Sequence, residues 1–335
     1  MLSSRTLEKV QEDRGVFTSQ SPYPHVCIDG FLQQSVLSGL NQSFPLDTDA
    51  DYKKYCIEDG GKPGSNYANP DPASFPEPFQ KLDKYFGSGE FLRYLESLTG
   101  IDGLLYDPEY QGGGLRESRN RGFLPVHLDF NRHPKTGLHR RLNLLLYLNE
   151  NWQEGWGGDI QVHRDPRESG ADSLVRGYSP INNRCFIFET SEHSWHGFSQ
   201  LHCPIDRGRR AVSIYYFTKT RPEGEVPFRN TEYVEPPLPR HIQTGTVLTQ
   251  EDAQLILDLL KRRDDRIQML YELRRTFDGK YTHLWSEYEY YLDKFRQANN
   301  TNHAVGTAAT GDGAPAPANR PLLRRIASRV RQVFR

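Results

Sequence analysis

The sequence predicts a mainly β core with flanking helices, an α+β chain, on three observations. Short alternating or apolar runs, separated by Gly, Pro and Asn, recur between residues 122 and 218. Segments of helical period stand before and after them. A proline-rich stretch and a low-complexity stretch then set the C-terminal part apart.

Taken in order, residues 1–20 are polar and are expected to be irregular. His25–Asp29 alternates like a strand, and Leu32, Val36, Leu37 and Leu40 then recur at helical spacing. Residues 45–75, rich in Asp, Pro, Gly and Tyr, read as an ordered loop. One helical stretch is expected near Phe79–Leu98. From Gly122 the texture becomes β. The expected strands are Phe123–Phe130, Arg141–Leu148, Asp159–His163, Ser173–Tyr178, Arg184–Phe188, Trp195–Gln200 and Arg210–Thr218. Their regular spacing suggests a sandwich or barrel. Alternate residues of a strand face opposite ways, so one face can line a pocket while the other packs. After the connector VEPPLPRH, helix returns at Thr249–Arg275 and Thr282–Gln297.

Composition narrows the function classes. The 335 residues are 36% hydrophobic with a formal net charge of −1, so the whole chain carries no electrostatic bias toward nucleic acid. Cys27, Cys56, Cys185 and Cys203 form no CxxC pair, which argues against a zinc ribbon or a disulfide framework and fits a reduced, cytoplasmic setting. The N-terminus lacks a signal-peptide apolar region, and no run reaches the length of a membrane span. The last sixteen residues, RPLLRRIASRVRQVFR, hold six Arg and no acid, with Leu322, Ile326, Val330 and Val333 on one helical face. That pattern suits an anionic membrane surface or a protein partner, or a helix that packs on its own domain.

The chemistry concentrates in 122-GFLPVHLDFNRHP-134. His127 and Asp129, two apart on a strand, point to one face. With a histidine from a later strand they can form a facial triad that leaves three metal positions open, the arrangement of non-haem iron(II) oxygenases. That third ligand is expected at His196, 67 residues after Asp129, where Gly197 leaves space. His193 is the alternative, set among polar turn residues. Arg209 lies 13 residues beyond His196. Buried there, it can make a two-pronged salt bridge to the far carboxylate of 2-oxoglutarate; Arg210 faces the other way and is its alternative. Arg116, after three glycines, and Arg140, at the start of a strand, are candidate contacts to co-substrate or substrate. For His133, His139, His163 and His202 an ordinary surface or hydrogen-bonded role is expected.

Over about residues 23–222 the sequence resembles the prolyl-4-hydroxylase-like branch of the iron(II)/2-oxoglutarate oxygenases. The resemblance rests on His127-Leu-Asp129-Phe-Asn131, His133-Pro134, 140-RRLNLLLYLNENW-152, Gly157-Gly158, Ser194-Trp-His196-Gly197 and 209-RRAVSIYYFT-218. It implies a double-stranded β-helix (jelly-roll, cupin-like), His127, Asp129 and His196 as the catalytic iron ligands, and Arg209 as the co-substrate anchor. It further implies Fe(II), with 2-oxoglutarate and O2 as co-substrates and ascorbate in support. The reaction would hydroxylate an unactivated C–H bond in a prolyl or other peptidyl residue, a free amino acid or a small metabolite, with succinate and CO2 as co-products. Two other readings are a non-catalytic β-barrel scaffold and a cupin-type metal enzyme without 2-oxoglutarate; the intact triad and Arg209 argue against both. The expected division is 1–20 polar segment, 21–225 oxygenase domain with N-terminal helices, 226–248 proline-rich connector, 249–298 helical extension, 299–319 disordered linker and 320–335 basic amphipathic tail. The helical extension offers a docking surface for a partner, or for a second copy in an oligomer.

Overall fold

Two antiparallel sheets face each other across a shared interior. A computed structural model describes residues 1–45, 53–55, 66–221, 228–235, 238–268, 270–272, 274–275 and 290. The expected linker 299–319, the basic tail 320–335, most of 282–297 and most of the loop between residues 46 and 65 lie outside them. The chain divides into two units, 1–262 and 263–335. The first begins with helices α1 (Ser4–Glu8) and α2 (Val10–Ser19), strand β1 (His25–Asp29) and helix α3 (Gln34–Ser43). Next come β2 (Lys53–Tyr55), β3 (Asn66–Asn69), α4 (Glu77–Phe86), α5 (Gly89–Thr99), β4 (Leu105–Tyr106), β5 (Gly114–Arg119), β6 (Leu124–Leu128) and β7 (His139–Tyr147). β8 (Ile160–His163), β9 (Leu174–Tyr178), β10 (Arg184–Glu189), β11 (His196–Phe198), β12 (Gly208–Thr218) and β13 (Glu232–Tyr233) follow. Residues 250–262 are helical; in the second unit so are 263–268, 270–272, 274–275 and 290. No helix among the described residues is long and apolar enough to cross a membrane.

The larger sheet runs β1-β10-β7-β12-β5-β3-β2, with β4 also on β12; the smaller runs β13-β6-β11-β8-β9. This is a double-stranded β-helix. One face of the larger sheet packs on the helices through Val26, Ile28, Leu142, Leu144, Leu146, Cys185, Ile187, Val212, Ile214 and Tyr216. The opposite face carries Tyr147, Phe186, Phe188 and Ala211, which meet Ile160 and Val162 of the smaller sheet. The two clusters are the two sides of one pleat.

The N-terminal segment departs from expectation. Ser3 caps α1 by accepting from the Thr6 amide, and Thr6 and Phe17 are buried. Leu2 bridges to Leu32, so a polar sequence is helical because a few apolar residues dock on the core. The single helix expected at 79–98 is two, broken at Gly87-Ser88. The Ser88 hydroxyl accepts from the Phe91 amide and starts α5. β5, with its charged LRESR sequence, precedes the expected β region; it is a strand because β12 and β3 flank it on both edges. The proline-rich connector holds β13, the edge strand of the smaller sheet, paired with β6.

Candidate metal centre and co-substrate pocket

β6 and β11 pair so that His127 lies directly opposite His196. Asp129 follows one residue past the end of β6. The Nε2 atoms of His127 and His196 lie 3.6 and 3.4 Å from Asp129 Oδ1 and Oδ2, and the imidazoles are 4.3 Å apart. One ligand atom from each residue fits within 4.8 Å of the others, and all three residues are buried. His193 is exposed and outside this group.

Both imidazoles are fixed by backbone carbonyls. His127 Nδ1 is 2.9 Å from the Pro125 carbonyl, and His196 Nδ1 is 2.8 Å from the Ser194 carbonyl. A carbonyl only accepts, so each Nδ1 carries its proton and each Nε2 presents a lone pair to the centre. Burial and the adjacent His127 push the His196 imidazole down to about 3, keeping it neutral. Burial alone would raise the Asp129 carboxyl. Arg140 and the two histidines outweigh it and hold the group well below the usual carboxylate range. Two neutral nitrogens and one carboxylate on a buried face fit a divalent metal such as iron(II).

Asp129 is held from behind. The Asn143 amide donates to its Oδ2 at 2.7 Å, and the Arg140 guanidinium lies 3.0 Å from the same oxygen. Arg140 Nε donates to Asn143 Oδ1 at 2.8 Å, which fixes the amide with its nitrogen toward Asp129. The guanidinium is stacked 3.4 Å from the Tyr215 ring and 4.5 Å from Phe130. The structure therefore turns Arg140 from the expected co-substrate contact into a support for the carboxylate. It reaches the interior through a bulge: β12 pairs Tyr216 with Leu142 but Phe217 with Arg140, so Arg141 is the extra residue.

On the same face, Arg209 is buried. Its Nε donates to the Gly158 carbonyl at 2.6 Å, and its Nη2 donates to the Tyr147 hydroxyl at 2.9 Å. Among the described residues no carboxylate pairs with it. Burial lowers its pKa, which marks the cost of a charge left without a counter-ion. Arg210 points to the other face and pairs with Glu117 at 2.9 Å. Gly157 and Gly158 have φ of +70° and +76°, and a Cβ on Gly158 would sit 2.6 Å from Leu201 and 3.0 Å from Arg209. The pair makes the turn that brings the Gly158 carbonyl to Arg209. Gly197 serves differently from expectation: a Cβ there would stand 2.6 Å from the Leu124 carbonyl, so it admits β6 rather than clearing room at a metal.

Arg116 sits opposite Ala211 on β5, on the inner face, donating to the Gly112 carbonyl; its Nε is buried with no partner. Sequence reasoning missed Tyr147 and Asn143. Both lie in the apolar run 142–148, where period-two alternation was the available signal. His133 and His163 are buried and hydrogen-bonded. His202 is exposed.

The fold is thus a double-stranded β-helix holding a two-histidine, one-carboxylate cluster. Residues 113–218 match the sequence profile of the 2OG-Fe(II) oxygenase superfamily. The chain carries a domain of that superfamily. No curated protein matches the chain. Among solved structures it is similar to a prolyl hydroxylase from Trichoplax adhaerens, in complex with a hypoxia inducible factor oxygen degradation domain peptide fragment, at 16% identity and TM-score 0.47. That match covers 64% of this chain and 93% of the other. It is similar to a Pseudomonas putida prolyl-4-hydroxylase at 15% identity and TM-score 0.43, covering 62% and 98%. HygX from Streptomyces hygroscopicus, with nickel, 2-oxoglutarate and hygromycin B bound, gives 12% identity and TM-score 0.42, covering 70% and 96%.

Proposed function

We propose that the chain hydroxylates an unactivated C–H bond in a prolyl or other peptidyl residue, a free amino acid or a small metabolite, with succinate and CO2 as co-products. One observation carries the reading. The buried cluster His127, Asp129 and His196 shares the interior between the two sheets with Arg209, a buried cation with no carboxylate of its own among the described residues. In this reading the three residues hold Fe(II), and Arg209 with Tyr147 takes the far carboxylate of 2-oxoglutarate. When bound, the iron supplies the oxidative chemistry on O2. The protein's part is geometric. The Pro125 and Ser194 carbonyls aim the two Nε2 atoms, Arg140 and Asn143 orient Asp129, and the apolar walls exclude water. Arg116, facing the same interior, is the candidate contact to substrate or co-substrate. The leaning toward proline comes from the motif resemblance alone, because fold and cofactor do not fix a substrate.

Ascorbate support and a cytoplasmic setting belong to the same proposal. Cys27, Cys185 and Cys203 are free, which fits a reducing compartment. The tail 320–335 is proposed as a contact to an anionic surface or to a protein, on its sequence pattern alone. The test is succinate formation by purified protein with Fe(II), ascorbate, 2-oxoglutarate and O2. The expected outcome is slow, iron-dependent succinate release that disappears in His127→Ala. Absence of turnover together with absence of 2-oxoglutarate binding would sink the proposal.

A further inference from the structure

Residues 228–235 lie beyond the segment that matches the superfamily and beyond the expected barrel, yet they touch both metal-ligand segments. On the His127–Asp129 side the contact is mostly backbone. β13 pairs Tyr233 with His127 and Glu232 with Leu128. The Val234 amide donates to the Val126 carbonyl at 2.8 Å. Arg229 and Asn131 lock the other end: the Asn131 amide donates to the Arg229 carbonyl at 3.2 Å, and the Arg229 amide donates to Asn131 Oδ1 at 2.9 Å. The Tyr233 ring lies 5.1 Å from the His127 ring, inclined by 31°. Arg229 Nη2 donates to the Asp129 carbonyl at 3.0 Å.

The same residues reach the His196 side. Arg229 forms an ion pair with Glu192. Glu192 stands in the Ser191–Ser194 turn, closed by the Ser194 hydroxyl, and the carbonyl of that same Ser194 fixes His196 Nδ1. Glu232 pairs with Arg167 at 2.9 Å, and the Arg167 guanidinium covers the ring of Trp195, the neighbour of His196, at 4.8 Å. One short segment thus holds the Asp129 backbone and the turn before His196 at once.

We propose that residues 228–235 form a strap that sets the spacing between the His127–Asp129 segment and the His196 segment, with Arg229 as its positioning residue. The inference rests on the metal-centre reading above. Arg229 touches no ligand atom; it acts through the Asp129 backbone and Glu192. Removing a group that orients a metal ligand typically costs about 10–100-fold in metal affinity.

The experiment titrates wild-type protein, Arg229→Ala, Arg229→Lys and Glu192→Gln with Co(II), following the visible absorption of the bound ion, beside thermal unfolding of each apoprotein. Arg229→Ala is expected to weaken Co(II) binding by about 10–100-fold and to change the shape of the spectrum. Arg229→Lys should recover part of the loss through Glu192. Glu192→Gln, which keeps the shape of the side chain and removes its charge, should weaken binding less and in the same direction. A strap with a merely structural role would lower the unfolding temperature of Arg229→Ala while the folded protein kept a Co(II) affinity within about twofold of wild type; that result overturns the inference. Should Arg229→Ala fail to fold, Glu192→Gln decides on the same criterion. Absence of Co(II) binding by wild type would overturn the metal-centre reading itself and is distinguishable from loss in the variants alone.

Discussion

On β7 and β12, Leu142, Leu144, Leu146, Val212, Ile214 and Tyr216 turn toward the helices, while Asn143, Tyr147, Arg209, Ser213 and Tyr215 turn toward the smaller sheet. The two faces are equally shielded from water and chemically opposite. The apolar face is stabilised by the area it removes from solvent, and any residue of similar shape would serve there. The polar face is expensive to bury, and each of its groups needs a particular partner. Arg140 and Asn143 find theirs in Asp129 and in each other. Among the described residues Arg209 has a carbonyl and a phenol but no anion, the gap that the proposed function fills with the co-substrate carboxylate.

Five substitutions sharpen that contrast. Asp129→Ala should abolish saturable Co(II) binding in a calorimetric titration and leave Arg140 buried without its carboxylate; retained binding would break the assignment of the inner face. Leu144→Ala, on the outer face, should cost about 2–5 kcal/mol in chemical denaturation while the folded protein keeps its affinity for 2-oxoglutarate. An equal loss of affinity would mean that the two faces are not separable. Arg209→Ala should cost about 2–4 kcal/mol of 2-oxoglutarate binding, roughly thirty- to thousandfold in Kd, because the anion loses its charged partner.

The fourth concerns His163, buried on the smaller sheet, whose imidazole is pushed down to about 4 by burial. Its folded pKa lies below its unfolded one, so in the fold it stays neutral while the unfolded chain takes up a proton. The stability it contributes is whole above the ordinary histidine pKa and is lost as pH falls from there toward 4. Roughly 3 kcal/mol is at stake. Denaturation at neutral and at mildly acidic pH should show this loss in wild type and a smaller one in His163→Gln. The smallest effect is expected for Tyr147→Phe, about 1 kcal/mol of 2-oxoglutarate affinity, or about fivefold in Kd. No change would mean that the phenol serves only to hold Arg209.

The strands of the core were legible because their run lengths and alternation are local properties. The exceptions were equally physical. β5 falls outside the expected strands because its sequence is charged, and its Glu117 finds Arg210 only on the neighbouring strand. The helices of the first twenty residues depend on burying Leu2 and Phe17 against distant elements. The site divided in the same way. His127 and Asp129 are two residues apart and could be read directly; Tyr147 and Asn143 hide inside an apolar run. Arg140 could be read as a strand-borne candidate, but its partner Asp129 lies 11 residues away across a loop and is invisible to spacing.

By itself, the sequence determined the class of chemistry: an HxD pair, a distal histidine before a glycine and a strand-borne arginine encode ligand types, and ligand type is a property of residues. Tertiary structure decided the rest. The pairing of β6 with β11 brought His196 to His127, and the bulge in β7 sent Arg140 to Asp129. Packing chose Arg209 over Arg210, and strand pairing recruited residues 228–235 to the edge of the metal-ligand segment. Register, burial and the fate of a buried charge are set by which segments meet, and that depends on long-range contacts that no local pattern contains.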